Sequence, residues 1–228
     1  MLGGANNNLA LEYISEMRKA NMNFSFATYK RIGSGHDEAS YQGTYPCASS
    51  IRADILSGKN HNFSNLEIYK MAHLERAFLY ALRKMTADDF RKCPDLSEGL
   101  ENRIVSCVPT AQSVEELFDS VKTKRYTHAR IRRIMMSAFL SVTAEMQNQT
   151  PPYIKVLGFN SKGREILKKA SETAQLPIVH KYADVKVLPI FAQQVYELES
   201  CCTDIFSLAC DQIKPCGREK TENQIILI

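Results

Sequence analysis

The stretch Lys122-Thr-Lys-Arg-Tyr-Thr-His-Ala-Arg-Ile-Arg-Arg133 holds six Lys or Arg in twelve residues and no acid. It runs without a break into Ile134, Met135, Ala138, Phe139 and Val142, which with Ile131 fall at helical spacing and make one apolar stripe. The spacing predicts a helix with Thr127 as its N-cap. Arg133 then lies on the side away from the stripe, with Arg130 and Arg132 on its flanks. Lys122, Lys124, Arg125 and Tyr126 form the turn that leads in. Such a helix is held by an apolar underside and offers cations elsewhere. It suits phosphate and base contacts in RNA, because guanidinium is a planar two-point donor and aromatic rings stack on bases. The competing reading is a solvated cationic face, since short basic runs are common on surfaces. The lack of a compensating acid within the run keeps the anionic partner in play.

Upstream, the pattern is helical from Ser64 onward. Leu66, Tyr69, Ala72 and His73 lead into Ala77, Phe78, Tyr80 and Ala81; a loop (TADDFRKCPDLSEG) follows, then a helix from Leu100 to Val108. Ser113-Val-Glu-Glu116 reads as a capping box for the helix carrying Leu117, Phe118 and Val121. Downstream, Gln147-Asn-Gln-Thr-Pro-Pro152 is a linker. Tyr153 to Phe159 reads as a buried strand, Ser161 to Thr173 as a helix, and Leu176 to His180 as a second strand. Together they predict a small βαβ unit. A last helix is expected from Phe191 to Ile213, and a loose polar segment from 214 to 224.

The N-terminal part predicts a helix from Asn8 to Ala20, with Leu9, Tyr13, Ile14 and Met17 on its apolar side and Asn6 and Asn7 as caps. Residues 23–32 (NFSFATYKRI) alternate and are β-rich, so they read as a strand. Gly33-Ser-Gly-His-Asp37 breaks it, and Cys47-Ala-Ser-Ser-Ile-Arg52 opens a short helix ending at Ser57-Gly58. Serines and an Arg in a first helical turn can form an anion site, through backbone N–H groups, hydroxyls and one neutralising guanidinium. The plainer alternative is an ordinary Ser cap with a surface Arg.

At 228 residues the chain has room for one large domain or two small ones. It has 44% hydrophobic and 24% charged residues, as globular proteins do, and its net charge of +4 leaves any anionic partner to local clusters. No apolar run approaches the ~18 residues that cross a bilayer, and residues 1–13 lack the pattern of a signal peptide. Seven irregularly spaced cysteines point to reduced thiols in a cytoplasm. Cys201, Cys202, Cys210 and Cys216 contain no Cys-x-x-Cys pair, so no metal site is expected there. His73 and His128 lack a partner motif and read as packed or surface histidines.

Several stretches, in order, are similar to those of one family. ANNNLALEYI is similar to a Pro-Asn-Asn/Asp-x-Leu-Gly segment, KRIGSGHDE to an Arg-Ile-x-x-x-x-His-Asp loop, and PCASSIR to an Ala-Ser-Ala-Thr-x-Ile-Arg nucleotide motif. LENRI, KTKRYTHARIRRI, PYIKVLGFNSKGREIL and TDIFSLACDQ match its helical and terminal parts. The chain thus resembles the C-terminal part of the bacterial tRNA(Met) cytidine acetate ligase family. Lys-Thr-Lys-Arg-Tyr-Thr with the later Tyr-Ile-x-x-Leu-Gly is the most specific element, whereas Ser-Ser-Ile-Arg is shared by many nucleotidyltransferases.

The resemblance implies an α+β fold, mainly α. Residues 1–60 would be the remnant of a Rossmann-like nucleotidyltransferase domain, and 61–228 a helical tRNA-binding domain with the βαβ unit at about 151–190. It implies a ligase that uses ATP, with Mg2+ as its candidate counter-ion, to turn acetate into acetyl-adenylate. The acetyl group then passes to N4 of the wobble cytidine of elongator tRNA(Met), in the cytoplasm and away from membranes. Asn6, Asn7, Arg31, His36, Ser49, Ser50 and Arg52 would belong to the ATP site. Lys122, Lys124, Arg125, Tyr126, Arg130, Arg132 and Arg133, with Lys122 and Arg132 taken from the basic run itself, would hold the tRNA.

Two departures stand out. Ala5 replaces the family's Pro and Gly4 its frequent Lys, and no two of the five histidines make the His-x-Gly-His signature. The chain is therefore expected to be part of a longer protein, to bind tRNA weakly on its own and to lack ligase activity. The alternative is a stand-alone helical RNA-binding or adaptor module without catalysis.

Overall fold

A computed structural model describes residues 5–29, 47–58, 67–97, 99–222 and 226–227. The chain divides into two compact units, Met1–Leu66 and Glu67–Ile228. Within the first, α1 spans Ala5–Lys19 and α2 spans Ala48–Leu56. Helix α1 begins three residues earlier than the sequence predicts, so Asn6 and Asn7 lie exposed inside its first turn and are not caps. Leu9 and Tyr13 also face solvent. Over 22–29 the chain forms no strand, contrary to the alternating pattern, and Phe24, Phe26 and Tyr29 are exposed. Alternation marks only a capacity to pair, and no strand pairs with this segment among the described residues. Helix α2 lies where expected, with Ser57 as its C-cap and Gly58 at φ +74°, a left-handed turn that glycine adopts freely.

The second unit opens with helices α3 (Met71–Arg83), α4 (Ala87–Arg91), α5 (Leu100–Cys107), α6 (Val114–Val121) and α7 (His128–Phe139). They share one core. Phe78 and Leu82 of α3, Phe90 of α4, Ile104 of α5, Leu117 of α6 and Ile131, Ile134 and Met135 of α7 are almost wholly buried in it. Tyr80 is a correction: the buried stripe of α3 runs Leu74, Phe78, Leu79, Leu82, one position away, and leaves Tyr80 outside. Helix α4 occupies what the sequence reads as loop. Thr86 and Asp89 form a reciprocal capping box there: the Thr86 hydroxyl accepts from the Asp89 N–H, and the Asp89 carboxylate accepts from the Thr86 N–H at 3.0 Å. Ser113 caps α6 as expected, accepting from the Glu116 N–H at 3.1 Å, but Glu116 reaches back to the N–H of Gln112.

Beyond α7 come α8 (Ala144–Gln147), β1 (Ile154–Lys155), β2 (Gly158–Phe159), α9 (Ser161–Thr173), β3 (Ile178–Val179), α10 (Tyr182–Val185), α11 (Ile190–Ser207), α12 (Arg218–Thr221) and β4 (Ile226–Leu227). Strands β1 and β3 pair in parallel, Ile154 opposite Ile178, with α9 between them; this is the expected βαβ connection. The predicted continuous strand 153–159 is instead two short ones, because β2 leaves to pair in parallel with β4. The segment 214–222 is likewise tied down. The Lys155 ammonium lies 2.8 Å from a Glu219 carboxylate oxygen and 3.1 Å from one of Glu199, while Tyr196 donates to the Glu219 carbonyl at 2.7 Å. Burial works against the charge on Lys155, but the hydrogen bonds to Glu219 and Glu199 outweigh it and hold its pKa above the ordinary lysine value. Among the described residues, no helix is long and apolar enough to cross a membrane.

Candidate nucleic-acid interface

Helix α7 positions the basic face. Its buried residues Ile131, Ile134, Met135 and Ala138 recur at helical spacing and pin one side to the core. Thr127 caps it, its side chain accepting from the Arg130 N–H at 3.4 Å. Arg132 and Arg133 are then forced outward, their side chains 53% and 61% exposed. Both features agree with the sequence reading.

The partners of these arginines do not. No acid lies within the run itself, yet three residues outside it supply oxygens: Asp95 in the loop before α5, and Glu115 and Asp119 of α6. Arg130 points Nε and Nη2 at the backbone carbonyl of Asp95, at 2.9 and 2.6 Å. Arg133 Nε meets the Asp95 carboxylate at 2.8 Å, and Arg132 meets Glu115 of α6 at 2.9 Å. His128 lies 3.5 Å from Asp119. The guanidinium groups are thus held in place rather than free. The ion pairs sit in water, where such pairs contribute only about 0–1 kcal/mol and exchange readily.

Tyr126 is a second correction. Its ring is buried in the helical core, with the Arg125 and Arg130 guanidinium carbons each 5.6 Å from its centroid. As placed it cannot stack on a base; it is a floor for two cations. Lys122, Lys124 and Arg125 lie exposed in the turn ahead of α7, and among the described residues none of them has an ion pair. Arg125, Arg130 and Arg133 therefore follow one another through the Tyr126 ring and Asp95. Arg132 leaves this line for the α6 side, above the Phe118 ring at 5.4 Å.

Sequence reasoning missed Arg103 and Asp95. Arg103 of α5 donates to the carbonyls of Ser120 and Val121 at 2.6 and 2.7 Å, and to that of Lys122 at 3.5 Å. It closes the C-terminal end of α6, where carbonyls lack helical partners and cations are favoured, and so fixes the start of the basic turn. Only its place in LENRI marked it, without a role.

The other predicted group lies in the first unit. Ser49 and Ser50 are half-buried at the second and third positions of α2, and Arg52 is exposed just after them. Asn6 and Asn7 are exposed on α1. Arg31 and His36 lie outside the described residues. No group of three or more His, Cys, Asp or Glu that could hold a metal ion occurs among the described residues. His73, by contrast, is held in place, its Nδ1 2.9 Å from the Ala209 carbonyl and its Nε2 3.5 Å from Asp211.

Residues 1–222 match the HIGH Nucleotidyl Transferase family. The chain belongs to that family. Among its relatives is the tRNA(Met) cytidine acetate ligase of Acetivibrio thermocellus, 30% identical over all of this chain and 62% of the relative. The corresponding protein of Clostridium tetani is 31% identical over 92% of this chain and 56% of the relative. Two crystal structures of Thermotoga maritima TmcAL superpose on 99% of this family member. The apo form has a TM-score of 0.84 at 27% identity, and the form bound with alpha-thio ATP 0.79 at 26%; 61% and 60% of those chains are covered. The chain thus spans about 56–62% of the length of the relatives it matches.

Proposed function

We propose that this family member provides the tRNA-holding part, and a share of the nucleotide site, of an ATP-dependent ligase. That ligase acetylates N4 of the wobble cytidine of elongator tRNA(Met). The observation that carries the reading is the row of cations along α7 and the turn ahead of it, Lys122, Lys124, Arg125, Arg130 and Arg133, in a chain about 30% identical to proteins named for this tRNA. An anchored row of cations meets a polyanion with little loss of side-chain freedom, and the release of counterions from the RNA drives association. An exposed anticodon base can be splayed out, as recognition of single-stranded RNA requires. With Tyr126 buried, phosphate contacts are the part of recognition assigned to this face, and base recognition belongs elsewhere. Residues 67–228 form the helical tRNA-binding domain in this account, and the part before them belongs to the nucleotidyltransferase domain.

The chemistry fits such a division. An acetate oxygen attacks the α-phosphorus of ATP and pyrophosphate leaves; N4 of the cytidine then attacks the acetyl carbonyl and AMP leaves. Neither step needs a covalent protein nucleophile, only positioning and neutralisation of phosphate charge. Ser49, Ser50 and Arg52 in the first turn and a half of α2 suit that task, with Asn6, Asn7, Arg31 and His36 assigned to the same site. Mg2+ would be held mainly by the phosphates, as is usual for this ion. The Thermotoga maritima structure with alpha-thio ATP supports a nucleotide as ligand.

The test is to incubate the purified 228-residue chain with ATP, acetate and a tRNA(Met) transcript, measuring both binding and N4-acetylcytidine. Since its five histidines include no His-x-Gly-His pair, we expect binding without product. Product would show that the chain completes the reaction alone. Absence of binding would remove the tRNA assignment.

A further inference from the structure

Arg130 and Arg133, one turn apart on α7, converge on a single residue. Asp95 gives its carbonyl to two N–H groups of Arg130 and its carboxylate to Arg133. It does so at φ +63°, a left-handed conformation that side chains other than glycine rarely adopt and that Asp and Asn tolerate best. One residue thereby presents two clustered oxygen acceptors to two guanidinium groups, as one phosphate would. The Arg133–Asp95 pair is open to solvent, at 61% and 41% side-chain exposure, so an anion can reach it without disturbing the core.

We propose that Asp95 is an internal stand-in for an RNA phosphate. It holds Arg130 and Arg133 converged on one point, and a phosphate of bound tRNA displaces its carboxylate from Arg133. This rests on α7 being the RNA-binding face. The two links to Asp95 differ in kind. The bond to Arg130 uses the backbone and persists whatever the side chain. The bond to Arg133 uses the carboxylate and is the exchangeable one. An exposed ion pair of this kind is weak, and phosphate competes well for guanidinium. Asp95 therefore orders the arginines at a modest cost in affinity. Displacement also changes the salt dependence. When a phosphate replaces the carboxylate, the RNA releases a counterion and the freed Asp95 attracts one, so this contact adds less to the salt slope than an unmasked arginine would.

The experiment compares the full chain with D95N, R133A and the double variant D95N/R133A, by the affinity for a tRNA(Met) transcript across a salt series. D95N keeps the shape, the tolerance of positive φ and the bonds from the Asp95 carbonyl to Arg130. It should bind about three- to fivefold more tightly, the gain set by the worth of an exposed ion pair, with a salt slope steeper by about 0.7–0.9. The gain should vanish in the double variant, which should match R133A. D95G, which suits the left-handed backbone at no cost, carries the same expectation should D95N fold poorly. If R133A weakens binding while D95N and D95G bind no more tightly than wild type, Asp95 is only a structural partner and the proposal falls, with the RNA face intact. If R133A leaves affinity and slope unchanged, the RNA reading of α7 falls and takes the proposal with it.

Discussion

Arg103→Met tests how the basic turn is held. The substitution keeps the aliphatic stem and removes the guanidinium that closes α6 through the carbonyls of Ser120 and Val121, at 2.6 and 2.7 Å. A hydrogen bond from a charged donor contributes about 1.5–3 kcal/mol where water is excluded. Arg103 is exposed, and water can replace much of each bond, so about 0.5–1 kcal/mol apiece is the fitting figure. The contact to Lys122 at 3.5 Å adds nothing to the sum. The expected loss is about 1–2 kcal/mol. The chain has no tryptophan, so urea unfolding is followed by far-UV circular dichroism. A drop of about 0.5–1 M in midpoint at unchanged slope is expected. The looser turn should also weaken tRNA binding by about threefold, as ordering Lys122, Lys124 and Arg125 then costs more on binding. An unchanged midpoint would refute the anchoring role. A lowered midpoint with unchanged affinity would refute the link between the anchored turn and the RNA.

Two further outcomes follow from the fold. The Thr86 N–H, followed by its hydroxyl and then Lys92, holds the Asp89 carboxyl down at about 2, below its ordinary value. Its contribution to stability is full above pH about 4 and is lost as pH falls toward 2, so Asp89→Asn should flatten the acid limb of a stability–pH profile between those values. An unchanged limb would mean that other carboxylates govern it. Lys155→Met leaves Glu199 and Glu219 facing each other without their cation. Because Glu199 is 42% exposed, the cost should be about 2–3 kcal/mol, below the range for breaking a fully buried pair. Trypsin should then cut faster at Arg218 and Lys220, whereas unchanged cleavage would show that other contacts hold this tail.

Local rules were legible in the sequence where the signal is local. The stripe of α7, its Thr127 cap, the Ser113 cap of α6, the place of α2 and the bounds of α9 all depend on residues within a few positions of one another. What depended on partners far along the chain was not legible. Residues 23–29 alternate like a strand but lack a neighbour to pair with among the described residues. Residues 153–159 split because β2 pairs with β4, some 68 positions on. The basic run looked uncompensated because Asp95, Glu115 and Asp119 reach it only through the fold. Tyr126 read as a surface aromatic beside cations, and nothing local says that its ring completes a core built from five helices. For the nucleotide site the motif gave α2, but Arg31 and His36 lie outside the described residues, so their role rests on resemblance.

The central claim is that the turn before α7 grips an RNA backbone, and its most direct test spares every cation that has an internal ion pair. The affinity of the chain for a tRNA(Met) transcript is measured against salt, for wild type and for the combined Lys122→Ala, Lys124→Ala, Arg125→Ala variant. If each residue neutralises one phosphate, log K should fall linearly with log salt, and the slope should be shallower in the variant by about 2. Equal affinity and equal slope in the two proteins would show that this surface is only a solvated cationic face.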